Sequence, residues 1–104
     1  MLAKTRRLRA AEVRDVLARG RSKRGSFLSI KVVSTSSPFR CAVAVSKKTA
    51  KSAVLRNRLR RAVYRALNAT SLPPTGHAIL FVQSVPKAEL STVFGSDLTK
   101  LLNV

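Results

Sequence analysis

Apolar residues recur along this chain at helical spacing, then at strand spacing, and the two patterns alternate to its end. Val13, Val16 and Leu17 stand at i, i+3 and i+4, so Ala10 to Arg19 reads as an amphipathic helix, with Gly20 as its stop. Arg21, Ser22, Lys23, Arg24 and Gly25 carry no period and read as a basic loop. From Phe27 to Val33 the period becomes two: Leu28, Ile30 and Val32 share one face of a strand, Ser29 and Lys31 the other. Ser34 to Pro38 is rich in turn formers, and Cys41 to Val45 is short, apolar and partly β-branched, as suits a strand buried on both faces.

Lys47, Lys48, Thr49, Ala50 and Lys51 form a second basic loop ahead of a long helical segment, Ser52 to Asn68. At roughly 100° per residue, Leu55, Leu59, Ala62, Val63 and Ala66 gather in one arc. Arg58, Arg61 and Arg65 line one edge of the remaining circumference, and Arg56 and Arg60 the other, with Asn57 between them. Leu72, Pro73, Pro74, Thr75 and Gly76 break the chain, after which His77 to Val82 reads as a central strand. Beyond Pro86, the spacing of Leu90, Phe94, Leu98, Leu101 and Leu102 predicts a closing helix, with Gly95 lowering its intrinsic propensity. The order is helix, strand, strand, helix, strand, helix, without internal repeat. It predicts an α+β fold, a small mixed sheet packed with helices, in one domain over residues 1–104.

Composition agrees with a folded core, since 45% of the residues are hydrophobic. Charge changes the picture more. Lys and Arg number 21 against 4 acids, a formal net charge of +17. All the excess lies at or before Arg65, where only Glu12 and Asp15 oppose the cations; beyond it Lys87 and Lys100 balance Glu89 and Asp97. Self-repulsion on that scale opposes compaction, which points to a surface that meets a polyanion. A merely solvated face is the plainer reading of a charge run, but Ser52 to Asn68 contains no acid that could form an intrahelical pair. Arginine also outnumbers lysine there, and its planar fork suits bidentate phosphate contact, which solubility does not require.

Several classes are excluded or disfavoured. No apolar run approaches the ~18 residues of a membrane span. The start of the chain, with Lys4, Arg6 and Arg7, has no apolar stretch after its charges, so no secretory signal is expected. Cys41 is the single cysteine, which rules out an internal disulfide and fits a reducing cytoplasm. Phosphodiester chemistry needs metals on several carboxylates or a positioned acid–base pair. Four acids, a lone His77 at the start of an apolar strand and a strand cysteine offer neither, so no catalytic residue and no protein-held metal is expected. Composition does not choose between DNA and RNA. A ribosomal or other structural RNA binder and a nucleoid-type DNA binder share this charge; a membrane-active peptide is disfavoured by the lack of tryptophan.

The choice comes from a resemblance. Val45-Ser46-Lys47-Lys48, a short spacer, and Arg56-Asn57-Arg58-Leu59-Arg60-Arg61 look like the central motif of the ribonuclease P protein family. The likeness extends to Arg7-Leu8-Arg9, Gly20 and Phe27. It implies a left-handed strand–helix–strand crossover, as in the ribosomal-S5-domain-2-like fold. It implies an RNA partner that carries the active site, holds most of the Mg²⁺, and removes the 5′ leader from precursor tRNA in the cytoplasm, making this chain the non-catalytic subunit of an endoribonuclease. By the same likeness Arg56, Asn57, Arg58, Arg60, Arg61 and Arg65 would lie against the ribonuclease P RNA, joined by Ser46, Lys47, Lys48, Lys51, Arg7 and Arg9. The positions matching the family's leader cleft are Val13, Leu17 and Ile30, with Phe27 nearby. Three are aliphatic where the family typically carries aromatics, so the resemblance implies a leader contact with less base stacking, which an aromatic platform supplies at about 1–3 kcal/mol per base.

Overall fold

The computed structural model describes residues 7–70, 72–87 and 89–102. Along the chain run α1 (Ala10–Arg19), β1 (Arg21–Arg24), β2 (Leu28–Pro38), β3 (Arg40–Val45), α2 (Ala53–Ala69), β4 (Thr75–Val82) and α3 (Leu90–Leu102). The strands form one mixed sheet in the order β1-β2-β4-β3. β2 pairs antiparallel with both β1 and β4, whereas β3 runs parallel to β4. Parallel neighbours need a crossover, and α2 is that crossover. The α+β class and the three helices follow the expectation, with one strand added.

That strand is β1, expected as a loop. Its residues, Arg-Ser-Lys-Arg, are all exposed, so no apolar alternation marks it. Pairing with β2 creates it, from Arg21 opposite Val32 to Arg24 opposite Ser29. β2 likewise continues through the expected turn to Pro38, with a register shift after Val33. β3 departs in the other direction. Only Cys41 is buried in it, because the strand lies at the sheet's edge, where Arg7 forms a bridge to Cys41.

Two cores lie on opposite faces of the sheet. On one, Leu28, Ile30, Cys41, Ala78, Leu80 and Val82 meet Leu59, Val63 and Leu67 of α2 and Phe94, Leu98 and Leu101 of α3. The other is smaller: Val16 of α1 packs on Val33 and Ile79, flanked by Leu8, Val13, Ala42 and Phe81. α1 thus leaves part of its face of the sheet uncovered. At the end of α1 the chain passes so near the helix that a Cβ on Gly20 would collide with the carbonyl oxygen of Val16. Glycine is therefore required there for space, since its φ of −67° would admit any residue.

The long helix α2 starts at Ser52, whose hydroxyl accepts from the Leu55 amide at 3.1 Å. This N-cap satisfies one of the helix's orphan donors, and no acid in the first turn assists it. Ser52→Ala is expected to destabilise the protein by about 1 kcal/mol. Ser52→Asp should match or exceed the wild type, because a carboxylate also complements the helix dipole. Thermal melts of the two variants check the pair, and a neutral Ser52→Ala would mean that water replaces the cap.

Candidate nucleic-acid interface

Burial of one arc of α2 determines what the rest of that helix presents. Leu59, Ala62, Val63, Ala66 and Leu67 face the core, which turns Asn57, Arg58, Arg61 and Arg65 outward. Leu67 extends the expected arc, and Leu55 sits half-buried at its margin. Two arginines are partly engaged within the chain. The Arg56 guanidinium donates to the carbonyls of Ala50 and Lys51, both at 2.9 Å, which braces the loop entering the helix. Arg60 donates to the Asn57 side-chain oxygen at 2.7 Å, which ties the two side chains together on the helix surface.

None of the four acids reaches this face through an ion pair among the described residues. Asp15 pairs with Arg19 at 2.6 Å, within α1. Glu12 accepts from the Arg9 amide at 2.8 Å and from Arg40 at 3.1 Å, and lies 3.5 Å from His77 Nε2. The Arg9 amide, aided by the Arg40 guanidinium, holds the Glu12 carboxyl below its ordinary pKa. Arg19 does the same for Asp15. Asp97 is buried in α3, and Glu89 accepts from the Thr92 hydroxyl at 2.7 Å. Arg58, Arg61 and Arg65 make no ion pair with a carboxylate among the described residues. A surface of guanidinium groups without internal counter-ions is one that phosphates can neutralise.

The neighbouring loop adds to it. Ser46 closes a tight turn, its carbonyl accepting from the amides of Thr49 and Ala50. Thr49 ties that turn to the end of β4 through the Val82 carbonyl at 3.1 Å. Lys47, Lys48 and Lys51 are left exposed beside the start of α2. Arg7 and Arg9 sit apart from this group: Arg7 bridges to the start of β3, and Arg9 caps α1.

The uncovered part of α1's sheet face is a second candidate surface. Val13 is half-buried against the sheet, and Leu17 is 47% exposed at the rim. Lys31 reaches across to the Leu17 carbonyl at 3.0 Å, joining β2 to the last turn of α1. Ile30 and Phe27, expected beside Val13 and Leu17, are elsewhere. Ile30 is 1% exposed under α2 and α3, and Phe27 packs against that same core. The alternation placed Leu28 and Ile30 together correctly, but their face is the one that the two later helices cover. The aromatic residue on α1's side is Phe81, half-buried, which stands between Ala44 of β3 and Ser29 of β2 in register. Sequence alternation does not reveal it, because Ala78 to Val82 is apolar at every position.

Among the described residues no three His, Cys, Asp or Glu side chains gather as metal ligands. His77 is buried, and its Nε2 makes no hydrogen bond; Cys41 is buried in β3. No described helix is long and apolar enough to cross a membrane.

The family model for Ribonuclease P matches residues 2–103 of the chain. Among solved structures, the fold is similar to that of a Staphylococcus aureus RNase P protein mutant with defective mRNA degradation activity. The TM-score is 0.81 at 22% identity, over 96% of this chain and 87% of that one. It is also similar to the RNase P protein from Thermotoga maritima, with a TM-score of 0.79 at 18% identity, over 94% of this chain and 96% of that one. No curated protein matches the sequence.

Proposed function

Because this chain belongs to the ribonuclease P protein family, we propose that it is the RNA-binding protein subunit of ribonuclease P, helping a catalytic RNA to remove the 5′ leader from precursor tRNA. The observation that carries this reading is the acid-free side of α2, where Asn57, Arg58, Arg61 and Arg65 stand exposed beside Lys47, Lys48 and Lys51. Such a surface lies along the ribose-phosphate backbone of the RNA partner and neutralises it. Arg56 and Arg60 act partly by holding the loop and Asn57 in place for that contact.

The whole chain works as one RNA-binding domain in the cytoplasm. The 5′ leader crosses the open part of α1's sheet face, over Phe81, with Val13 and Leu17 as the opposite wall. Phe81 supplies a π-face that the aliphatic wall lacks, so leader contact keeps one stacking position. Hydrolysis belongs to the RNA, with Mg²⁺ held mainly by RNA phosphates. The chain's own acids are engaged within the fold: Glu12 and Asp15 in α1, Asp97 at the turn before β2 and Glu89 at the start of α3.

Reconstitution with a ribonuclease P RNA at low Mg²⁺ tests this. Adding the protein is expected to restore cleavage of precursor tRNA at Mg²⁺ concentrations where the RNA alone is nearly inactive. Lack of stimulation, with ribosomal RNA as the predominant co-purifying species, would replace this reading by that of a ribosomal protein.

A further inference from the structure

The exposed cations of β1 take no part in the surfaces described so far. Arg21, Lys23 and Arg24 are exposed and form no ion pair among the described residues. Charges on an edge strand discourage pairing with other chains, which accounts for their presence but not for their alignment. Direct pairing places Ala44, Phe81, Ser29 and Arg24 in one transverse row across all four strands. The row lies on α1's side of the sheet, since Phe81 belongs to the core there. Strands stand about 4.8 Å apart, so Arg24 is roughly 10 Å from Phe81 along the row. That distance is on the scale of one or two nucleotides of extended single strand.

The end of the row is a groove as well as a charge. Ser22, Lys23, Arg24, Ser29 and Gln83 line an open recess of about 260 Å³. The Gln83 side-chain amide donates to the Ser29 hydroxyl at 2.8 Å, which orients it and leaves its oxygen and second N–H available. An amide with a free donor and acceptor can meet a base edge, while Arg24, paired with Ser29 on the same side of the sheet, meets the phosphate beside it.

We propose that this groove at the β1 edge is a second subsite for single-stranded RNA, taking the leader nucleotide next beyond the one that rests on Phe81. The inference builds on the leader-binding reading above and extends its path from the middle of the sheet to its edge. A double helix is a poorer occupant, because its bases present no free Watson–Crick edge to Gln83.

The test uses full-length protein assembled with ribonuclease P RNA and precursor tRNAs whose leaders grow one nucleotide at a time. With the wild type, affinity is expected to rise in steps and then level off once the leader reaches the edge. Arg24→Ala should remove the last step, about a tenfold loss on long leaders, as one charge-assisted contact contributes, and none on short ones. Gln83→Ala should make a smaller loss that varies with the base at that position. Both side chains are exposed, so unchanged thermal melts separate these effects from misfolding. An equal loss at every leader length would move Arg24 to the RNA subunit and overturn the subsite. Leader dependence left intact by Arg24→Ala would overturn it too, with the parent reading still standing. A wild-type assembly indifferent to leader length would overturn both.

Discussion

Replacing Arg58 and Arg61 together by alanine is expected to weaken binding to ribonuclease P RNA roughly ten- to hundredfold at moderate salt, with the melting temperature nearly unchanged. The two side chains project from the exposed side of α2, and no carboxylate of the described chain pairs with them, so their removal costs the fold nothing that it was using. It also relieves like-charge repulsion in a chain of net charge +17. Salt dependence makes the assignment specific. If about 6–10 phosphates are neutralised, wild-type affinity falls roughly 10³–10⁵-fold between 50 and 200 mM salt. The double variant should reduce the slope of log affinity against log salt by about 2, one for each lost phosphate contact. Filter binding across a salt series reads both quantities. A flat wild-type response, or a variant that unfolds, would remove α2 from the interface.

The largest effect on stability is expected at Asp97. This carboxylate is 3% exposed and accepts three backbone amides from the turn before β2: Ser26 at 3.3 Å, Phe27 at 2.6 Å and Leu28 at 3.0 Å. No side-chain cation is needed to satisfy it, because the turn itself supplies the donors. Asp97→Ala leaves those amides without an acceptor, at about 1 kcal/mol or more each, so a loss on the order of 3 kcal/mol follows. For a domain of this size that lowers the melting temperature by roughly 15 °C. Asp97→Asn should retain more than half of the stability, since a single oxygen already serves both Phe27 and Leu28. Calorimetric melts of the two variants decide it; equally mild effects would mean that the turn's amides reach water. Because the same turn ends β1, loss of Asp97 should also loosen Arg24, linking a fold defect to weaker binding of long leaders.

Nothing in the sequence distinguishes Asp97 from a surface charge. It sits near Lys100 on a helix with no other charge, and its partners lie some seventy positions earlier in the chain. β1 was unreadable for a related reason. Four polar residues become a strand only because β2 offers them a ladder. α2, in contrast, was legible nearly to its ends, because a helix arranges its own residues around its own axis, and the leucine arc alone tells which side is left for the arginines.

The sequence by itself therefore determined the charge excess, its confinement to the first 65 residues, the elements with a local period, and the acid-free arginine side of α2. Tertiary structure decided which face of each strand meets which helix. It put Ile30 in the core under α2 and α3 and Phe81 on α1's side of the sheet, aligned Phe81 with Ser29 and Arg24, and set the Gln83 amide against Ser29. The reason is geometric. Alternation along a strand defines two faces without saying what covers either, and register across strands depends on pairings between residues far apart in the chain.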